Sequence, residues 1–183
     1  MSKLVLIDRD GTINVEKRYL SSPDQIELLP GASEGIKLLR KIGFKVAVVT
    51  NQSAIGRAII DFEGLKRIHA RLNRVLKDEN TKVDAIYFCA HLPENGCYCR
   101  KPADGMARRA EKEFDAQLSE SFVVGDNICD VELGENIGAK TIMVRTGYGK
   151  KVEEEKSAAP DYIVGNLYDA AELIQKITKE NHN

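Results

Sequence analysis

The chain has 183 residues, 43% of them hydrophobic and 30% charged, with a formal net charge of −1. That is enough for one core and too little for two comfortable ones, in the composition range of ordinary globular proteins. The near-neutral charge argues against nucleic-acid and membrane-surface partners. No apolar run approaches the ~18 residues of a membrane span, and no basic-then-apolar leader opens the chain, so a cytoplasmic protein is expected.

Leu4-Val5-Leu6-Ile7 is a short apolar run closed by polar residues, the pattern of a buried strand, and it delivers Asp8-Arg9-Asp10-Gly11-Thr12 at its C-terminal end. Two carboxylates one residue apart, followed by a glycine turn, suit a nucleophile and a neighbouring general acid around a hard cation. Residues 13–27 are polar, with Tyr19, Ser21, Ser22 and Pro23, and read as an irregular flap over that strand end. Pro30-Gly31 introduces a helix over Ala32–Lys41, stopped by Gly43. The second strand is expected over Phe44–Val49, ending in Thr50-Asn51-Gln52-Ser53.

Asp61 is placed to cap a helix from Phe62 to about Lys77 whose apolar face is Leu65, Ile68, Leu72, Val75 and Leu76. Val83–Phe88 is the third strand, running into a cysteine-rich loop, and Asp104 caps a helix over Gly105–Phe114. Ser121–Val124 is the fourth strand, closed by Gly125-Asp126. A helix over Ile128–Ile137 and a fifth strand over Lys140–Val144 follow. Tyr162–Val164 is a short sixth strand near the edge. The last helix spans Leu167 to about Thr178, with a frayed tail over Lys179–Asn183. Strands alternating with long helices predict one α/β domain over residues 1–183, doubly wound about a mainly parallel sheet.

A parallel sheet collects its strand C-termini at one edge, so the polar residues there can be read together. Asp8 and Asp10 follow the first strand, Thr50 and Asn51 the second, Arg100 and Lys101 lie beyond the third, and Asp126 and Asp130 follow the fourth. Carboxylates for a cation, a hydroxyl and an amide for phosphoryl oxygens, and cations for the remaining charge are what phosphoryl transfer needs.

These residues resemble the haloacid dehalogenase superfamily of aspartate-nucleophile phosphatases, in Asp8-Arg9-Asp10-Gly11-Thr12, Thr50-Asn51, Lys101, and Gly125-Asp126 with Asp130. Residues 50–57, Cys99-Arg100-Lys101-Pro102 and Arg145-Thr146-Gly147 narrow the resemblance to the D-glycero-D-manno-heptose 1,7-bisphosphate 7-phosphatases. The resemblance implies that Asp8 is the nucleophile and Asp10 the general acid and base. It implies magnesium at Asp8, the Asp10 carbonyl and Asp126, and phosphoryl oxygens bound by Thr50 and Asn51 with Lys101 neutralising charge. The stretch from Glu16 to Tyr19, with Gln52, Ser53, Arg57 and Arg100, would meet a small phosphorylated sugar, Arg100 through its second phosphate. Asp130 is assigned to orient a neighbour rather than to ligate the metal. No insertion large enough for a cap domain follows the first or second motif, so an open site is expected; separately, a monomer is expected. Ala54 and Ala90 depart from the family's common Gly and Pro, both on loops.

Four cysteines could make two disulfides, but three of them fall within residues 89–99 beside a histidine. Cys89-x-His91-x5-Cys97-x-Cys99 supplies four soft ligands for a closed tetrahedral zinc site, a structural ion stiffening a loop over residues 89–101 that presents Arg100 and Lys101. Cys129 reads as a small packed side chain; His69 and His182 read as packed or solvated surface residues. Three rival functions stand beside the heptose reading. One is a histidinol-phosphate phosphatase, which would share the aspartate motif and the metal loop. The second is a receiver-like phospho-acceptor signalling domain, which needs neither Asp10 nor a zinc loop. The third treats the zinc loop as a protein-binding knuckle.

Overall fold

A strand covered on both sides must be apolar on both, and β1 (Lys3–Ile7) is buried at four of its five positions. It lies at the centre of a six-stranded, all-parallel sheet with β2 (Phe44–Asn51), β3 (Ala85–Cys89), β4 (Phe122–Gly125), β5 (Lys140–Val144) and β6 (Tyr162–Val164). The computed structural model describes residues 1–180. Its helices are α1 (Ala32–Lys41), α2 (Ser53–Gly56), α3 (Phe62–Asp78), α4 (Gly105–Phe114), α5 (Ile128–Ile137), α6 (Gly149–Glu155) and α7 (Leu167–Glu180). None of these is long and apolar enough to cross a membrane.

Alternate residues of each strand feed two layers. Val5, Ile7, Val46, Val48, Val124 and Val144 pack with Ile36 and Leu39 of α1, Ile68 and Leu72 of α3, and Ile174 of α7. Leu4, Leu6, Ala47, Val49 and Val123 point the other way, onto Met106 and Ala110 of α4 and Leu133 of α5. Each large aliphatic side chain so buried contributes roughly 1.5–3 kcal/mol. The doubly wound α/β expectation holds, and the sheet is wholly rather than mainly parallel.

The departures are local. β2 runs two residues further than expected, so Thr50 and Asn51 are its last residues instead of lying beyond it. β3 is displaced to Ala85–Cys89 because Asp84 ends the approach: its carboxylate accepts the Val46 N–H (2.9 Å) and Arg40 Nη1 (2.7 Å). Asp61 caps α3 through the Gly64 N–H at 2.7 Å, but Asp104 makes no cap bond and pairs with Arg108 at 2.9 Å instead. The short α2 and α6 were not expected. α7 continues through Lys179 and Glu180, two positions assigned to a frayed tail; residues 181–183, with His182, lie outside the described residues.

The strand order β3-β2-β1-β4-β5-β6 decides where a site can form. The chain moves outward from β1 through β2 to β3, then returns to place β4 on the other side of β1. Loops leaving β1 and β4 therefore diverge to opposite sides and leave a crevice above their C-terminal ends. Asp8 and Asp126 stand at that crevice.

Candidate active site

Asp8 leaves β1 with its N–H on the Val124 carbonyl of β4 at 2.9 Å, which ties the two strand ends together. The carboxylates of Asp8, Asp126 and Asp130 are buried and offer oxygens within 4.8 Å of one another. One cation answers them: Lys101 Nζ lies 2.6 Å from Asp8 Oδ1 and 2.6 Å from Asp130 Oδ1, its side chain only 2% exposed. Asp130 Oδ2 accepts the Asn127 N–H at 3.1 Å, so this carboxylate bridges the start of α5 and Lys101.

Asp126 is seated by a tight backbone. Its Oδ2 accepts the Tyr148 N–H at 2.7 Å. A Cβ on Gly11 or Gly147 would lie 2.2 or 2.0 Å from that same oxygen, and both residues have positive φ, +83° and +55°. Only glycine fits either position. Thr146 Oγ1 donates to the Gly11 carbonyl at 2.6 Å, joining the loop after β5 to the loop after β1.

Three buried carboxylates with one lysine leave an excess of negative charge. Burial pushes Asp8 up to about 7; Lys101 opposes this, and Asp130 and Asp10 add to it. Asp126 is also raised, by burial and then by Asp8 and Asp130. A hard divalent cation is what this all-oxygen donor set fits.

Asp10 points elsewhere. Its carboxylate accepts Arg9 Nε (3.1 Å) and Nη2 (2.6 Å), Asn14 Nδ2 (2.9 Å) and Gln52 Nε2 (2.9 Å). Burial alone would raise its pKa, but the Arg9 guanidinium and these donors outweigh it and hold the group below the ordinary carboxylate value. Arg9 is fully buried and also reaches Gln52 Oε1 (3.0 Å) and His69 Nε2 (3.1 Å). Neither Arg9 nor His69 was among the sequence candidates. The signals were an arginine between the two aspartates and a histidine four residues after Leu65, on the apolar face of α3.

The other candidates line one cavity of about 300 Å³, among them Asp8, Asp10, Glu16, Tyr19, Thr50, Asn51, Gln52, Ser53, Arg100, Lys101 and Asp126. Arg18, inside the 16–19 stretch expected to border the sugar, lines it too, as do Cys129, Asp130 and Tyr148, which the sequence did not place on the substrate side. Asn51 commits both ends of its amide to the Lys101 backbone, accepting its N–H at 3.0 Å and donating to its carbonyl at 3.1 Å. Gln52 Nε2 also donates to Thr50 Oγ1 at 2.8 Å, so Gln52 is a buried bridge as well as a wall. Arg57 does not line the cavity; it is exposed, with its guanidinium 5.8 Å from the ring centroid of Tyr19, which does.

Beyond β3, Cys89, His91, Cys97 and Cys99 converge. Their Sγ–Sγ separations are 3.4–3.5 Å and the Sγ–Nδ1 separations from Cys89 and Cys99 to His91 are 3.5 and 3.3 Å. Ligands ~2.3 Å from a tetrahedral centre would lie about 3.5–3.8 Å apart, so the four atoms form a cage of suitable size for one ion. All four are within 4.8 Å of one another, and the thiols are free. Burial pushes Cys89 up to about 12, whereas hydrogen bonds from Cys89 and Cys99 outweigh the desolvation of Cys97 and hold it at about 6. Arg100 Nη1 reaches back to the His91 carbonyl at 3.3 Å, so the cage and the basic pair share one loop.

A family model described as HAD-hydrolase-like matches residues 98–170. The D-glycero-beta-D-manno-heptose-1,7-bisphosphate 7-phosphatase of Neisseria meningitidis serogroup A is 37% identical over 150 residues, covering 81% of this chain and 80% of that protein. The chain belongs to the heptose-1,7-bisphosphate 7-phosphatase family of HAD-like hydrolases. A member from Chlorobaculum tepidum, named without an anomer, is 36% identical over 92% of each chain. The crystal structure of the D,D-heptose 1,7-bisphosphate phosphatase from B. bronchiseptica complexed with magnesium and phosphate superposes with a TM-score of 0.89. It is 33% identical and covers 95% of this chain and 98% of that one.

At a site of this charge, the binding of a divalent cation and pH are linked. Asp8, raised to about 7, holds a proton below that pH that the unfolded carboxyl has already lost. The metal-free protein therefore loses stability as pH rises from about 4 through about 7, and a bound cation must displace the proton below 7. The magnesium concentration giving half-maximal activity is expected to rise roughly tenfold per pH unit below 7 for each proton displaced, and to level off above it. Activity titrations at pH 6, 7 and 8, with melting curves in magnesium and in EDTA, check both halves.

Proposed function

We propose that this chain removes the 7-phosphate of D-glycero-D-manno-heptose 1,7-bisphosphate, on the way to nucleotide-activated heptose. The observation that carries the reading is Asp8: a buried carboxylate at the crevice between β1 and β4, held by Lys101 at 2.6 Å and facing a 300 Å³ cavity rimmed by Arg18 and Arg100. Asp8 attacks the phosphorus; the P–O bond to the sugar breaks and Asp10 protonates the departing oxygen. Asp10, then a carboxylate, takes a proton from water, which attacks the aspartyl-phosphate and frees phosphate and Asp8. A magnesium ion at Asp8, Asp126 and the Asp10 carbonyl supplies charge neutralisation that keeps Asp8 ionised. Asp10 is ionised in the resting arrangement, and a phosphate dianion arriving beside it raises its affinity for the proton it must donate. Lys101 and Thr50 balance the transferring phosphoryl group, Asn51 holds the Lys101 backbone, and Arg18 and Arg100 are the cations available to a second phosphate. Glu16, Tyr19 and Ser53 border the sugar, with Gln52 and Arg57 fixing that border from behind.

The same reading makes the protein a single-domain, cytoplasmic monomer, its free cysteines suiting a reducing compartment. It assigns zinc to the Cys89–His91–Cys97–Cys99 cage as a structural ion. About one zinc per chain is expected by metal analysis. Cys97→Ser should lower kcat/KM roughly tenfold to a hundredfold by loosening Arg100 and Lys101, the scale on which supporting metal contacts act. A fully active, magnesium-loaded preparation without bound zinc would remove this part.

Magnesium-dependent phosphate release from both heptose 1,7-bisphosphate anomers, fructose 1,6-bisphosphate and histidinol phosphate, measured side by side, tests the substrate. An advantage of ~10² in kcat/KM for one heptose anomer, about 2.7 kcal/mol of transition-state discrimination, is expected. Preference for histidinol phosphate keeps the chemistry and overturns the pathway. A stable phosphorylated Asp8 without turnover favours a signalling role.

A further inference from the structure

Among the described residues Arg9 is the largest side chain to be wholly buried, and it is a cation placed between the two aspartates. A guanidinium out of water needs acceptors for its donors, because burying an unpaired charge is costly. Asp10 takes two of them and Gln52 a third. The remaining terminal nitrogen, Nη1, faces His69 Nε2 at 3.1 Å.

Arginine has no lone pair to offer, so in this contact Nε2 must be the acceptor. His69 is thereby assigned as neutral imidazole with its proton on Nδ1. Burial, and then the Arg9 charge, push its pKa down to about 4, which agrees. The ring is held edge-on to Phe88, near the end of β3, with centroids 5.7 Å apart. Its outer side borders a surface groove with Phe62 and Lys66, so the imidazole stands between Arg9 and solvent.

We propose that His69 is a positioning residue for proton transfer: by accepting from Arg9 it fixes the guanidinium that in turn sets the plane of the Asp10 carboxylate. The proposal rests on Asp10 being the general acid and base. Asp10 is gripped on one side by Arg9 and on the other by Asn14 and Gln52. Of these supports, Arg9 alone contributes two bonds, and the guanidinium can hold that geometry only while Nη1 is anchored. With His69 removed, Nη1 swings toward the groove or takes up water, and the carboxylate turns with it. An ångström of misplacement is enough to lose ~10² in rate.

The expected signature follows from leaving-group chemistry. A sugar alkoxide needs a proton as it departs; p-nitrophenolate does not. The experiment is single-turnover phosphorylation of Asp8 in the magnesium-loaded full chain, with heptose 1,7-bisphosphate and with p-nitrophenyl phosphate, for wild type, His69→Ala and His69→Gln. His69→Ala should slow transfer from the heptose about 10- to 100-fold, part of the ~10²–10⁴ that a positioned acid provides. Steady-state KM should stay within about twofold, and transfer from p-nitrophenyl phosphate should fall by less than about threefold. His69→Gln, whose amide oxygen can accept from Nη1, should recover most of the loss. Equal losses with both substrates, a glutamine variant no better than alanine, or an alanine variant as fast as wild type would each overturn the proposal. Asp10→Asn runs alongside. If it still turns over the heptose, the reading of Asp10 fails; if it is inactive while His69→Ala is unimpaired, the His69 inference alone fails.

Discussion

Asp8→Asn is expected to turn over no sugar phosphate and to take up no phosphoryl group, while the protein stays folded. The amide oxygen keeps a partner for Lys101 Nζ, now 2.6 Å from Asp8 Oδ1, but it is a far weaker nucleophile than a carboxylate. A loss of about 10⁴-fold or more in kcat is expected, upwards of ~5 kcal/mol in activation free energy. Stability moves the other way. Asp8, Asp126 and Asp130 crowd one another around a single lysine, and burial pushes Asp8 up to about 7, with Asp130 and Asp10 adding to it. Removing one of the three charges relieves the repulsion, so in EDTA at pH 8 the variant should melt no lower than wild type. Rapid-quench labelling with a phosphate-labelled substrate separates this from a misfolded enzyme, because the melting curve stays cooperative. Label retained on Asp8→Asn would place the nucleophile elsewhere.

Lys101→Met is the second large effect, and it falls on folding as well as rate. Both partners of Lys101 are carboxylates with side chains at most 12% exposed. Burial lowers the affinity of Lys101 for its proton, but Asp130 and then Asp8 outweigh this and raise its pKa, so the ammonium is present throughout the working range. Deleting the cation leaves Asp8 and Asp130 facing each other without compensation, a loss of ~3–5 kcal/mol for a buried pair. In a chain of 183 residues that is roughly 6–20 °C in Tm, greatest in EDTA above pH 7, where Asp8 must ionise. kcat should fall ~10²–10³-fold through loss of charge stabilisation at the phosphoryl group. Lys101→Met with Asp130→Asn should recover most of the melting temperature and none of the activity. If the double variant melts as low as the single one, the lysine supports the fold through its packing rather than its charge.

How far the site could be read beforehand depends on how local each signal is. The strand-end motifs were legible because period and punctuation are local: Leu4–Ile7 reads as buried on both faces, and the polar residues after it mark the edge. The Cys-His spacing was legible for the same reason, since four soft ligands in one loop need no distant partner to converge. β3 was misplaced because Asp84 bonds Val46 and Arg40, residues some forty positions away. Asp104 looked like a helix cap until Arg108 took its carboxylate. His69 reads from the sequence only as a packed or solvated surface residue, because one histidine on an amphipathic helix carries no local mark of what lies beneath it.

By itself, then, the order of apolar runs, turns and polar strand ends determined a parallel α/β sheet with Asp8, Thr50, Lys101 and Asp126 at one edge, since each of those signals is carried by neighbouring residues. Only the tertiary structure decided which charges neutralise which. Lys101 joins Asp8 across 93 positions and Asp130 across 29, and Arg9 meets His69 across 60. Those pairings arise where two strand ends and a helix meet out of water, and the cost of an unpaired buried charge selects them there.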